Sequence, residues 1–111
     1  MNDAIDWLTV PEVADRLGIP LTRVHQLLRD GGLAGVRVTG VLRVPAAFLL
    51  GDAVVKGLSG VLTLLHDAGY SDEEAVHWLH TADDTLPGTP VDALRADRGR
   101  EVKRRAQALG F

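Results

Sequence analysis

Five side chains able to read or grip a nucleic acid fall between residues 22 and 29 of this chain: Thr22, Arg23, His25, Gln26 and Arg29. The two-donor fork of arginine matches N7 and O6 of guanine. The glutamine amide matches N6 and N7 of adenine, and a hydroxyl or an imidazole can bond either bases or phosphates. Two further arginines, Arg37 and Arg43, follow in a stretch rich in β-branched residues, where each could reach a phosphate or a minor groove. Any surface helix has a polar face, so these residue types acquire meaning only from the elements that position them.

Other chemistries find less support. His77 and His80 stand three apart, with Asp83 and Asp84 following, but no third ligand has a motif-like position for a metal. Asp72, Glu73 and Glu74 are explained as the start of a helix rather than as a catalytic carboxylate pair. There is no cysteine, which removes disulfides, thiolate metal sites and cysteine nucleophiles. Neither a phosphate-cradling glycine loop nor a nucleophile elbow is present. The expectation is a binding protein that is not an enzyme, with no cofactor and no metal.

The positioning elements begin at Thr9-Val10-Pro11-Glu12. Thr9 can cap a first turn, Glu12 sits at the reciprocal position, and proline there lacks only a donor that would be orphaned anyway. Val10, Val13, Ala14 and Leu17 recur at helical spacing before Gly18, a natural stop. Ile19-Pro20 makes a short link to a second helix, Leu21 to Asp30, which ends at Gly31-Gly32. Two helices joined by a glycine-containing turn are the helix-turn-helix pattern. At about 100° per residue, Val24, Leu27 and Leu28 take the core side of the second helix. Thr22, Gln26 and Arg29 then point away, with Arg23 and His25 on the shoulders. Residues 35–45 alternate β-branched residues with arginines around Thr39-Gly40 and read as a β-hairpin. Two strands do not stand alone in water, so the hairpin must pack on the helices as a wing. Residues 45–50 read as the opening of another helix, with Phe48 and Leu49 in the core.

The second half reads as all helical. A helix is predicted from Asp52 to about Ala68, with Val54, Val55, Leu58, Val61, Leu62, Leu64 and Leu65 on a wide apolar arc. Ser71-Asp72-Glu73-Glu74 forms a capping box for a helix carrying Ala75, Val76, Trp78 and Leu79. A turn region, Asp83 to Gly88, leads to a short helix from Thr89-Pro90. A last helix places Val102, Ala106 and Leu109 inward and Arg100, Arg104 and Gln107 outward, with Lys103 on a shoulder. Its bases read either as offsetting the helix's negative end or as extending a nucleic-acid footprint, and the first is favoured. The fold class is mainly α with a small β-hairpin wing. A winged helix-turn-helix fills residues 1–50 and a C-terminal helical domain fills residues 51–111.

Charge is distributed in blocks. The whole chain is net −3, yet residues 16–45 hold five arginines against Asp30 alone. Residues 52–97 hold nine acids against Lys56 and Arg95, and residues 98–111 return to +4. Binding to a polyanion follows local potential within about a Debye length, ~8–10 Å, rather than the total. The acidic N-terminus, Met1 to Asp6, lacks the basic flank and apolar run of a signal peptide, and no segment is long and apolar enough to span a bilayer. A soluble, cytoplasmic protein without a membrane partner is expected.

Residues 7–14, Leu17-Gly18-Ile19, Val24 to Gly31 and Arg43-Val44-Pro45 together resemble the winged helix-turn-helix of MerR-type and excisionase-type proteins. That resemblance implies double-stranded DNA as partner. It also implies major-groove reading by the helix bearing Thr22, Arg23, Gln26 and Arg29, and backbone contact from Arg37 and Arg43. The chain departs from MerR proteins in lacking long C-terminal coiled-coil heptads, so their dimerisation and effector binding do not carry over. It departs from many excisionases in its acidic total. The string from Tyr70 to Leu79, with Leu86-Pro87-Gly88-Thr89-Pro90, Ala93-Leu94 and Val102, is similar to the partner-binding domain of certain antitoxins. The two halves together look like a small family of actinobacterial DNA-binding proteins of the mycobacterial type. Three readings follow: a transcriptional or architectural regulator acting as a monomer or weak dimer, an antitoxin-like protein-interaction module using the C-terminal half, and an excisionase-like recombination factor.

Overall fold

The computed structural model describes residues 5–110, so Met1 to Ala4 of the acidic N-terminus lie outside the described residues. Strand β1 (Trp7–Thr9) runs directly into helix α1 (Val10–Leu17), and α2 (Leu21–Asp30) follows after a three-residue turn. The start of α1 is held by a complete capping box. The Thr9 hydroxyl accepts from the Glu12 N–H, and the Glu12 carboxylate accepts from the Thr9 N–H at 2.8 Å. The Thr9 N–H, and after it the Thr9 hydroxyl, hold the Glu12 carboxyl below the usual carboxylate range, with the Arg43 charge adding to the effect. Gly18 ends the helix in the left-handed region, φ 67°.

The wing is a hairpin of β2 (Val36–Val38) and β3 (Val41–Pro45). Its two-residue turn has positive φ at both positions, 51° at Thr39 and 82° at Gly40, which matches the right-handed twist of the flanking strands. β1 pairs with the other edge of β3, so the sheet order is β1-β3-β2. This third strand is not among the elements the sequence pattern predicts. Only three residues long, it has no alternation to read, and its pairing partner lies more than thirty residues away.

Two helices expected from the sequence are not formed as read. Residues 46–48 make a single 3-10 turn, after which β4 (Leu49–Leu50) pairs with β5 (Ala53–Val54) around Gly51. The cause is long-range: Arg95 donates Nη1 to the carbonyls of both Ala47 and Leu49, which a continuing helix would need for itself. The helix expected from Asp52 is instead α3 (Leu58–Asp67). Gly57 stands at its start with φ 87°, a conformation that no helix interior accommodates, and the Val55 N–H bonds the Phe48 carbonyl instead.

Helices α4 (Asp72–Leu79), α5 (Pro90–Arg95) and α6 (Gly99–Ala108) complete the chain. The Ser71 box caps α4 as read, and a second box of Thr89 and Asp92 caps α5. In α6, Val102 and Ala106 are buried, but Leu109, expected inward, is 38% exposed because it lies past the helix end. Buried residues from both halves, from Val10 to Ala106, form one continuous cluster in which α3 packs on α6 and α4 on β2. Two arginines stitch this joint at the surface: Arg95 as above, and Arg16 of α1, which donates Nε and Nη2 to the Gly51 carbonyl at 3.2 and 2.9 Å.

Candidate nucleic-acid interface

Helix α2 is anchored on one side and open on the other. Val24 is fully buried, and Leu27 and Leu28 are half-buried against the core. Thr22, Arg23, His25, Gln26 and Arg29 are all exposed, so the structure brings together on one outward face the five side chains singled out from the sequence. Arg23 and Gln26 are joined by a 2.9 Å hydrogen bond from Nη1 to Oε1. That bond orders the pair through one guanidinium N–H and leaves the other Arg23 donors and the Gln26 amide N–H groups free, while a bidentate Gln26–adenine pair would need it exchanged.

The beginning of α2 is as telling as its face. Pro20 stands at the N-cap and offers no side-chain bond, and no acid occupies the first turn. The positive end of the helix dipole is therefore left uncompensated by the protein, the arrangement in which a phosphate is attracted. At the other end Gly31 closes the helix with φ 81°, its N–H bonding the Leu27 carbonyl. Leu21, at the first helical position, is 48% exposed.

The chain from α2 into the wing leaves little slack. Gly35 is buried, and a Cβ there would lie 3.0 Å from the Arg43 carbonyl oxygen and 3.1 Å from a Leu42 methyl. That closeness holds the chain entering β2 tight against β3, and a methyl of Leu28 on α2 would lie 3.6 Å from the same Cβ.

The two wing arginines occupy different settings. The register pairs Val36 with Arg43 and Arg37 with Leu42, and residues directly opposite in an antiparallel pair share a face. Arg37 and Arg43 therefore project from opposite faces of the sheet. Arg37 is exposed beside the turn, its Nη1 donating to the Gly40 carbonyl at 3.4 Å. Arg43 sits in the central strand, paired across to Thr9, and is half-buried, with its Nε buried and without a hydrogen-bond partner. The signal for this separation lies in the sequence: a two-residue turn at 39–40 already forces 38 opposite 41 and 37 opposite 42. Val41, at the start of β3, adds an apolar group 45% exposed beside the turn.

The residues weighed for metal binding do not converge. Among the described residues no three potential ligands cluster. The His80 Nδ1 lies 2.8 Å from the Val76 carbonyl, which makes it the donor and leaves Nε2 bare and buried. Burial pushes the pKa of that imidazole down, and its ring centroid lies 5.7 Å from that of Phe48 across the joint between the halves. His66 is occupied differently, 2.8 Å from Asp72. Asp83 is held low by the Thr85 hydroxyl and N–H, with the Arg105 charge contributing.

Comparison with known proteins places this geometry. Residues 1–49 match the family described as DNA-binding protein Rv2175c, wHTH domain. Residues 55–110 match the family described as Rv2175c C-terminal domain of unknown function. The chain is 44% identical to the DNA-binding protein Rv2175c of Mycobacterium tuberculosis over 115 aligned residues, covering 92% of this chain and 79% of that protein. It also superposes on the NMR structure of Rv2175c with a TM-score of 0.90 at 40% identity, over all of this chain and 85% of that one.

Proposed function

Since the chain belongs to the Rv2175c family of DNA-binding proteins, we propose that it binds double-stranded DNA with α2 in the major groove and the wing on the backbone. The observation that carries this reading is the outward face of α2. Five hydrogen-bonding side chains stand exposed on a helix whose other side is locked by a fully buried Val24 and whose start carries neither cap nor acid. Gln26 and Arg29 are assigned to base edges, Thr22, Arg23 and His25 to bases or flanking phosphates, and Arg37 to the phosphate backbone. Arg43 is assigned a backbone contact at the edge of the footprint, reached only if its half-buried side chain extends.

A regulatory or architectural role in the cytoplasm, without catalysis or a cofactor, follows as the simplest use of such a surface. The likeness of residues 7–50 to MerR-type and excisionase-type domains supports the same docking mode. One helix of this length reads only a few base pairs, so a weak dimer on DNA is consistent with the reading.

The test is a selection for the preferred duplex followed by substitution. Gln26→Ala and Arg29→Ala are each expected to erode discrimination between the selected site and a scrambled one, by about tenfold or more where a bidentate pair with a base is removed. Arg37→Ala should weaken both duplexes alike. Equal discrimination by wild type and both α2 variants would remove α2 from the reading head.

A second reading, an antitoxin-like partner surface, has one observation in its favour. Tyr70 and Trp78, both half-buried, flank an open groove of about 520 Å³ on α4 together with Glu73, Glu74 and His77. Because both halves share one core, the full chain is the species to test. Loss of a specific partner on Trp78→Glu, with duplex binding intact, would support that reading.

A further inference from the structure

Helix α6 carries only one of its bases, Arg105, in its last turn. Its range puts Arg98 at the N-cap and Arg100 in the first turn, where the helix's partial positive charge repels cations. The offset of a negative helix end therefore explains neither. Ion pairing accounts for part of the set. Arg98 is bidentate to Glu101 at 3.0 and 3.2 Å, which holds the Glu101 carboxyl low, and Arg105 is tied to Thr85 with Asp83 3.9 Å away. Arg100, Lys103 and Arg104 are exposed, and among the described residues none of the three is in an ion pair.

These three stand at i, i+3 and i+4, so they lie along one outward face of α6, away from the buried Val102 and Ala106. Beside them runs a groove of about 700 Å³, lined by Arg100 and Lys103, by Lys56 from the loop before α3, and by the Arg98–Glu101 pair and Asp97. Its remaining lining is Gly57, Gly60 and Gly99, and a Cβ added at Gly60 would meet nothing within 4 Å. The result is an extended cationic strip with an open, side-chain-poor floor. It stands in a half whose residues 52–97 are strongly acidic.

We propose that the α6 face and this groove, centred on Lys56, Arg100, Lys103 and Arg104, form a second contact surface for the phosphate backbone of duplex DNA. A row of cations spread over more than one helical turn fits a polyanion better than a single bound anion. α6 packs on α3 and α5 and α2 packs on α1, so the strip belongs to a different part of the molecule from the reading head. Its role is to hold a further stretch of backbone without reading sequence, and it gives the C-terminal half a task. The inference rests on the proposed duplex binding of α2.

The experiment compares full-length wild type with the triple variant Lys56→Gln, Arg100→Gln, Lys103→Gln on a random duplex of about 30 base pairs, by anisotropy across a salt series. Thermal melting checks that the variant keeps the fold. The expected result is roughly tenfold weaker binding at moderate salt and a slope of log K against log salt that falls by about 2 to 3, since each phosphate contact contributes about 0.9. The ratio between a selected and a scrambled site should stay unchanged. Affinity and slope equal to wild type would overturn this inference and leave duplex reading by α2 standing. Absence of duplex binding by wild type itself would overturn both.

Discussion

Helices α2 and α4 are built by opposite rules. α4 opens with a complete box from Ser71 and Glu74 and carries Asp72, Glu73 and Glu74 in its first turn, so the protein itself satisfies the helix start. The two bonds from Ser71 also hold the Glu74 carboxyl below its usual range. α2 opens after Pro20 with no side-chain bond and no acid, and its exposed face is lined with donors. Capping is worth about 1 kcal/mol to a helix, and α1 and α5 both have it. Its lack in α2 leaves backbone N–H groups and a positive dipole end open to an outside anion. α3 likewise opens without a side-chain cap or an acid, so what sets α2 apart is its open start together with its exposed donor face.

The contrast can be broken by giving α2 the start that α4 has. Pro20→Asp adds a capping carboxylate where a phosphate is proposed to sit, and duplex binding should weaken by about tenfold at low salt. Stability should change little, because a cap gain of about 0.5–2 kcal/mol opposes the loss of proline's restraint on the unfolded chain, about 0.4–1 kcal/mol. Undiminished affinity would show that the start of α2 faces no phosphate.

The converse change removes the finish from α4. Ser71→Ala should cost about 1 kcal/mol of stability, seen as a melting temperature lower by a few degrees, with duplex affinity unchanged well below the transition. A matching fall in affinity would mean that α4 takes part in DNA binding and that the two helices are not opposites.

The smallest effect is expected at the joint between the halves. Burial lowers the pKa of His80, so below about pH 6.5 the unfolded chain takes up a proton that the folded chain resists. Stability is therefore full above that pH and declines as the pH falls toward the lowered value of the folded state. Denaturant midpoints at pH 7.5 and 5.5 should differ less in His80→Gln than in wild type. An equal pH response in both proteins would remove His80 as a contributor.

What is legible in the sequence is local. Thr9 with Glu12, Gly18, Ser71 with Glu74, and the Thr39-Gly40 turn act over one to four residues, and each stands where its spacing indicates. The polar face of α2 follows from the 3.6-residue period alone. Elements set by distant partners are not legible. β1 depends on β3, and the break in the helix after Pro45 depends on Arg95, nearly fifty residues on. Arg16 falls within the basic block of the sequence, yet it serves as a clamp on Gly51. The opposite projection of Arg37 and Arg43 is the exception among the long side chains, because turn length already fixes the register.

A phosphate-contacting surface on this acidic protein is tested by anisotropy of a labelled random-sequence duplex titrated with the full chain from low to moderate salt. Binding should fall steeply and linearly in log K against log salt, the signature of counterion release from several phosphate contacts. No binding at the lowest salt would contradict it, and would mean that the acidic blocks govern the surface and that the partner of this protein is not DNA.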